Sequence, residues 1–205
     1  MKKNKKINKN FLYVFFIILI IILGIFIYKN MIKKFNLGNN MSSQEIVDSV
    51  LNVNSYKANI TVQVNSNKNK NKYILNQEYD GEKSVQEVVE PANIAGVKII
   101  IENGNLKIEN TNLNLSQIFE NYKGLEENIL DLSSFIKNYK NNDKSNFEEN
   151  EIEIIMKTKS QNDNKYTQNK ILYIDKKTKK PTKLIIQDNN QNSTFNIQYN
   201  EIELN

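Results

Sequence analysis

Phe11 to Tyr28 reads FLYVFFIILIIILGIFIY, eighteen residues without a charge, and no other feature so limits what the chain can become. At about 1.5 Å of rise per residue, a helix of this length reaches roughly 27 Å, close to the hydrocarbon thickness of a bilayer. A cleaved signal peptide has a shorter apolar core, about 7–15 residues, and a small-residue cleavage site. Neither is present, and Gly24 is followed by Ile25 rather than a cysteine that could carry lipid. Lys2, Lys3, Lys5, Lys6 and Lys9 precede the span, and Lys29, Lys33 and Lys34 follow it. This bias places the N-terminus in the cytoplasm. The expected organisation is a basic cytoplasmic tail at 1–10, a single transmembrane helix at 11–28 acting as signal anchor, a juxtamembrane linker at 29–41, and an extracytoplasmic domain at 42–205.

The anchor also accounts for the charge. The whole chain carries +5, but the residues after Lys34 hold 20 basic against 23 acidic side chains, a balance of −3. The domain itself is therefore not a basic nucleic-acid binder. With no cysteine in the chain, no disulfide can staple it, and its core alone must hold it.

Within 42–205 the hydrophobic period changes several times. Ser42 and Glu45 have the spacing of a capping box, and Ile46, Val47, Val50 and Leu51 then form one helical stripe. From Tyr56 the period is two: Tyr56, Ala58, Ile60, Val62 and Val64 alternate with polar residues, and Tyr73, Leu75, Gln77 and Tyr79 repeat the pattern before Asp80-Gly81. A third strand covers Val85 to Val89. Val97, Ile99 and Ile101 share one face of the next, and Asn103-Gly104 supplies the positive φ values of a type I′ turn, after which Leu106 and Ile108 return alongside. A second helix places Ile129, Leu132, Phe135, Ile136 and Tyr139 on one side. Strands at about 152–158, 166–175, 182–187 and 194–203 complete an α+β chain with one long antiparallel sheet and few helices to cover it.

The side chains for most chemistry are missing. Histidine, cysteine, arginine and tryptophan are all absent, which removes acyl-transfer triads, thiolate nucleophiles and the commonest zinc ligands. Asp188, Asn190 and Asn192 have the spacing of a calcium loop, but Ser193 stands where glycine belongs and Tyr199 where the bidentate glutamate belongs; a hairpin turn fits better. Glu148, Glu149, Glu151 and Glu153 read as the solvated lead-in to a strand rather than as a hydrolase pair. The Lys176–Lys180 run reads as a hairpin tip, since without arginine it has no bidentate base reader. The chain is expected to be no enzyme, to need no metal or cofactor, and to bind no nucleic acid.

The stretches SYKANITVQVNSNKNKNKYILNQEY, EPANIAGVKIIIENGNLKIEN, LDLSSFIKNY and ILYIDKKTKKPTKLIIQDNN, in that order, resemble the GerS-related clostridial germination-lipoprotein branch of the LolA-like lipoprotein-carrier fold. The resemblance covers about 42–205. It implies an unclosed antiparallel β half-barrel whose concave face is covered by helices. On this fold Ile60, Val62, Val64, Leu75, Ile99, Ile101, Leu106 and Ile108 are candidate lining residues. Ile46, Val47, Val50 and Leu51, with Ile129, Leu132, Phe135 and Ile136, belong to the covering helices. Carriers of this fold hold acyl chains between sheet and helices, whereas the germination branch partners a cortex-modifying amidase. The expected function is thus a membrane-anchored accessory partner of a cell-wall amidase in sporulation or germination. The alternative is a carrier of lipid or lipoprotein acyl chains, and a third outcome is a concave face filled by the helices as plain core. A permanent transmembrane anchor argues against a soluble ferry.

Overall fold

The period-two segments do form strands, and they pair into a single sheet. The computed structural model describes residues 41–66, 69–121, 128–160 and 164–205. The expected tail, transmembrane span and nearly all of the linker lie outside the described residues, and no helix among those described is long and apolar enough to cross a membrane. By contacts, Ser43–Asn205 forms a compact unit. It contains helices α1 (Ser43–Leu51) and α2 (Leu132–Lys140) and strands β1 (Tyr56–Asn65), β2 (Lys70–Tyr79), β3 (Lys83–Glu90), β4 (Val97–Glu102), β5 (Asn105–Asn110), β6 (Leu115–Phe119), β7 (Asn146–Glu149), β8 (Glu153–Lys159), β9 (Asn169–Asp175), β10 (Pro181–Gln187) and β11 (Ser193–Leu204). The coarser part of the expected fold class is observed: an α+β unit with an unclosed antiparallel sheet and two helices.

The sheet runs β6-β5-β4-β3-β2-β1-β11-β10-β9-β8-β7. Every step but one joins chain neighbours. The exception places the first strand beside the last at the centre, with Tyr56 opposite Leu204 and Val62 opposite Ile197. Backbone bonds between Ser55 and Asn205 close the end of this pair. Two residues fall out of register nearby, Asn200 in β11 and Thr182 in β10; each is a β-bulge, which bends its strand and re-aims a side chain.

Pairing sorts the side chains. Tyr56, Ala58, Ile60 and Val62 share an inner face with Leu75 and Gln77 of β2, with Ile197 and Ile202 of β11, and, through further pairs, with Leu184, Leu172 and Met156. Both helices lie on this face beside β8. Helix α2 has nine residues, too few to be stable alone in water. Its packing holds it: Leu132 and Phe135 are fully buried, as are Ile154, Met156, Leu172 and Leu184 beneath. Each such side chain contributes roughly 1.5–3 kcal/mol on leaving water.

Two edge strands escaped the sequence reading. β6 (LSQIF) and β7 (NFEE) are short, and β7 takes up Glu148 and Glu149, which the pattern had assigned to a lead-in. The Asn103-Gly104 turn forms as expected, with φ of 50° and 75°, and a Cβ at Gly104 would meet no atom within 4 Å. Gly104→Ala therefore isolates the cost of a left-handed backbone. We expect it to lower stability by about 1–2 kcal/mol in urea unfolding, where a surface site without the positive φ would show no change.

Candidate functional site

The inner face falls into two halves. Over β1, β11, β10, β9 and β8 the helices fill it. Ile60 is 0 % exposed, with Val62 and Leu75 also buried, so three of the eight candidate lining residues are enclosed in this core, and a fourth, Leu106, is buried on β5. Val64 is half-buried against them. On the covering side, Ile46, Val47 and Val50 of α1 and Leu132, Phe135 and Ile136 of α2 are buried, while Leu51 and Ile129 pack at the margin; Ile129 sits in the turn before α2 rather than within it.

Over β4 to β6 the same face opens. Register carries Ile99, Ile101, Leu106 and Ile108 onto one apolar strip, and Phe119 and Leu115 of β6 extend it. Ile99 and Ile101 are half-buried, Ile108 is 37 % exposed, and Leu115 is 62 % exposed. Among the described residues, β6 pairs only with β5 and is the last strand at that end of the sheet. An exposed apolar strip of this kind is a surface suited to binding.

A buried polar cluster marks the seam. Asp131 occupies the N-cap of α2, but its carboxylate makes no cap bond. It turns to the sheet instead, accepting from Ser84 Oγ at 2.6 Å, Gln86 Nε2 at 2.7 Å and Gln77 Nε2 at 3.5 Å. Gln77 also reaches the Leu130 carbonyl at 3.1 Å. The vacated cap is taken by Tyr56, whose hydroxyl accepts the Leu132 amide at 3.1 Å. Burial pushes the Asp131 carboxyl up to about 6, against the lowering effect of the Ser84, Gln86 and Tyr56 hydrogen bonds. Burial likewise raises Tyr56 and Tyr199, and Tyr199 Oη finds no partner among the described residues. Sequence reasoning missed this cluster, although Gln77, Ser84 and Gln86 sit at inward positions of two adjoining strands.

The other motifs proved architectural. Asp188 accepts the Asn190 and Asn192 amides at 2.8 Å each and Asn192 Nδ2 at 3.0 Å, closing the expected hairpin turn from within. Glu149 accepts from Lys176 at 2.6 Å and from Ser43 Oγ, and Glu148 from Lys157 at 2.6 Å. These ties hold the β7 edge to the β9–β10 hairpin, to the start of α1 and to β8. No group of three acidic side chains that could hold a metal occurs among the described residues. The arrangement suits binding.

Asp131 generates a pH signature. Its folded pKa lies above the unfolded value of about 3.9, so the folded state is favoured while the group is protonated. That advantage is full below about pH 4 and is lost as pH rises through 6, a change of about 3 kcal/mol. Carboxyls held low, such as Asp175 and Asp188, act in the opposite sense, so the contrast must be read against Asp131→Asn. Urea unfolding of both proteins at acidic and neutral pH should show the Asn variant gaining on the native chain by about 2–3 kcal/mol between pH 4 and 7.5. Parallel profiles would place the charge elsewhere.

A family model described as "Sporulation protein YdcC-like" matches residues 8–205. Among curated proteins, none matches the sequence. Of solved structures, a chain of the complex between the CwlD amidase and the GerS lipoprotein of Clostridioides difficile is similar at 21 % identity, covering 99 % of each chain with a TM-score of 0.51. An uncharacterized conserved protein from Thermus thermophilus is similar at 13 % identity over 80 % of this chain and 88 % of that one, TM-score 0.50. A LolA superfamily protein, NE2245 of Nitrosomonas europaea, shows 12 % identity over 81 % and 94 % of the two chains, TM-score 0.42.

Proposed function

The chain belongs to the family of YdcC-like sporulation proteins, and from that premise we propose that it is a non-enzymatic, membrane-anchored binding domain that partners a cell-wall amidase. The observation that carries the reading is the more open half of the inner face, an uncharged strip that runs out to β6, with Leu115 and Ile108 exposed. An extended segment of a partner can lie against such a strip while its alternate side chains enter it. The likeness in fold to a chain of an amidase–lipoprotein complex supports an amidase as that partner. The apolar span at 11–28 supports a tether, with the domain outside the membrane, and tethering raises the effective concentration of any partner held in the same space.

The carrier reading requires room for acyl chains beneath the helices. Ile60 at 0 % exposure and its buried neighbours Val62 and Leu75 occupy that space, which favours the partner. Ile108→Asp and Leu115→Asp place charge on the strip at exposed positions, and each should weaken binding of the purified amidase at least tenfold, about 1.4 kcal/mol, with unchanged melting. Native affinity in both variants would remove the strip from the interface. Stoichiometric lipid extracted from the protein purified without detergent would turn the function toward acyl carriage.

Topology has its own test. Protease added to intact protoplasts should digest the domain beyond residue 41, as the lysine bias requires. Complete protection while the membrane is intact would reverse the orientation.

A further inference from the structure

The outer face, opposite the helices, holds a cleft of 710 Å³ over β2, β1, β11 and β10, within the size range of small-ligand sites. Two of the sheet's four register breaks open into it. Asn200 is an extra residue of β11 and Thr182 one of β10, on adjacent strands. Bulges commonly re-aim side chains beside binding sites, and here Asn200 joins a ladder crossing three strands. Its Nδ2 donates to Asn59 Oδ1 at 2.8 Å and to Thr61 Oγ1 at 3.1 Å, and Asn59 Nδ2 donates to Asn76 Oδ1 at 2.8 Å. The ladder ends in Asn76, whose Nδ2 group lines the cleft with no hydrogen bond from the described residues. Half-buried Val85 adds an apolar patch to the same floor.

Charge narrows the ligand. The lining carries Lys57 and Lys180 against Glu78, Glu87, Glu201 and Glu203, and both lysines are engaged. Lys57 pairs with Glu78 at 2.6 Å, and Lys180 Nζ donates to the Ile202 carbonyl at 2.9 Å. A phosphate or nucleic acid would meet net repulsion with no arginine to fork onto it. A neutral ligand with many hydroxyl and amide groups suits a lining that both donates and accepts; Glu78 and Glu87 pair with Lys57 and Lys98, and the Glu201 and Glu203 carboxylates can receive hydroxyl protons. An apolar floor patch can take the C–H face of a sugar ring. We propose that this cleft binds a neutral glycan built of N-acetylated hexoses.

The site lies on the face opposite the amidase-binding strip and stands independently of that reading. The test uses the full chain in detergent micelles, titrated with chitotetraose and followed by amide NMR shifts. The expected result is saturable, roughly millimolar or tighter binding that moves the amides of Asn59, Asn76 and Asn200. Maltotetraose, which lacks the acetamido groups, should bind at least about tenfold more weakly. Asn76→Leu and Asn200→Ala should each weaken chitotetraose binding about tenfold, whereas Ile108→Asp should leave it unchanged. Should Asn200→Ala alter the melt, Asn76→Leu, outside the bulge, decides alone. No saturable shift, equal binding of maltotetraose, or native affinity in a folded Asn76→Leu would overturn the proposal. Sedimentation with insoluble wall sacculi then separates the sources: co-sedimentation abolished by Asn76→Leu assigns the glycan to the wall. Co-sedimentation that Asn76→Leu leaves intact would overturn the cleft as the wall-binding site. Loss of glycan binding with amidase binding retained separates this inference from the proposed function.

Discussion

The contact between Asp131 and the sheet sets where the helical cover lies. Hydrophobic attraction between α2 and the apolar strands is strong but non-directional, so by itself it would let a nine-residue helix settle at several places on a broad sheet. A carboxylate buried at the helix start, accepting from Ser84, Gln86 and Gln77 on β2 and β3, permits one. The arrangement is costly: burial outweighs the hydrogen bonds strongly enough to raise the carboxyl to about 6. Hydrogen bonds to a charged group contribute roughly 1.5–3 kcal/mol each, yet an unpaired buried charge costs more than any one of them returns. The cluster therefore positions the cover rather than stabilising it, while Leu132, Phe135 and the strands beneath supply the stability. Tyr56 is part of the same device, since Asp131 is free to face the sheet only because a tyrosine hydroxyl caps α2 in its place.

From that position the division of the inner face follows. The helices reach the strands from β1 to β8 and stop at the seam, where Ser84 and Gln86 replace apolar side chains on β3. Beyond it the register continues to place Ile99, Ile101, Leu106 and Ile108 inward, but no described helix lies over them. Sheet and helix stripes that match on one side and fail to match on the other leave apolar surface that no described helix covers.

Most of the strands and their faces were legible in the sequence because period-two patterning survives wherever one side is buried. Asn103-Gly104, Asp80-Gly81 and the Asp188 turn were readable for the same kind of local reason: each needs a particular backbone or side-chain geometry within a few residues. The short edges were not. β6 has all five residues exposed, so burial imposes no alternation on it, and the carboxylates of β7 resemble a loop. The seam cluster was hidden more deeply, because the partners of Asp131 lie 45 to 54 residues away along the chain. Its only trace was polar residues at inward positions, Gln77, Ser84 and Gln86, and buried Lys170 shows the same trace on the face shared with Leu172 and Ile174. The split between filled and open lining was likewise beyond pattern, since Ile60 and Ile108 occupy equivalent positions in their strands and differ only in what lies above them.

The two ends of the sheet differ in how they meet solvent. Any unpaired strand edge invites another strand. At β7 that invitation is refused: Glu148 and Glu149 bring charge to the edge, and Lys157, Lys176 and Ser43 tie them to neighbouring elements. At β6 the five residues carry no charge, and Leu115, Ile118 and Phe119 are exposed. A chain selected only for solubility would guard both. Charge guards one end, while at the other an apolar strip formed by the inward-facing side chains of β4 and β5 runs up to uncharged β6, so the two ends of one sheet present opposite chemistries to solvent.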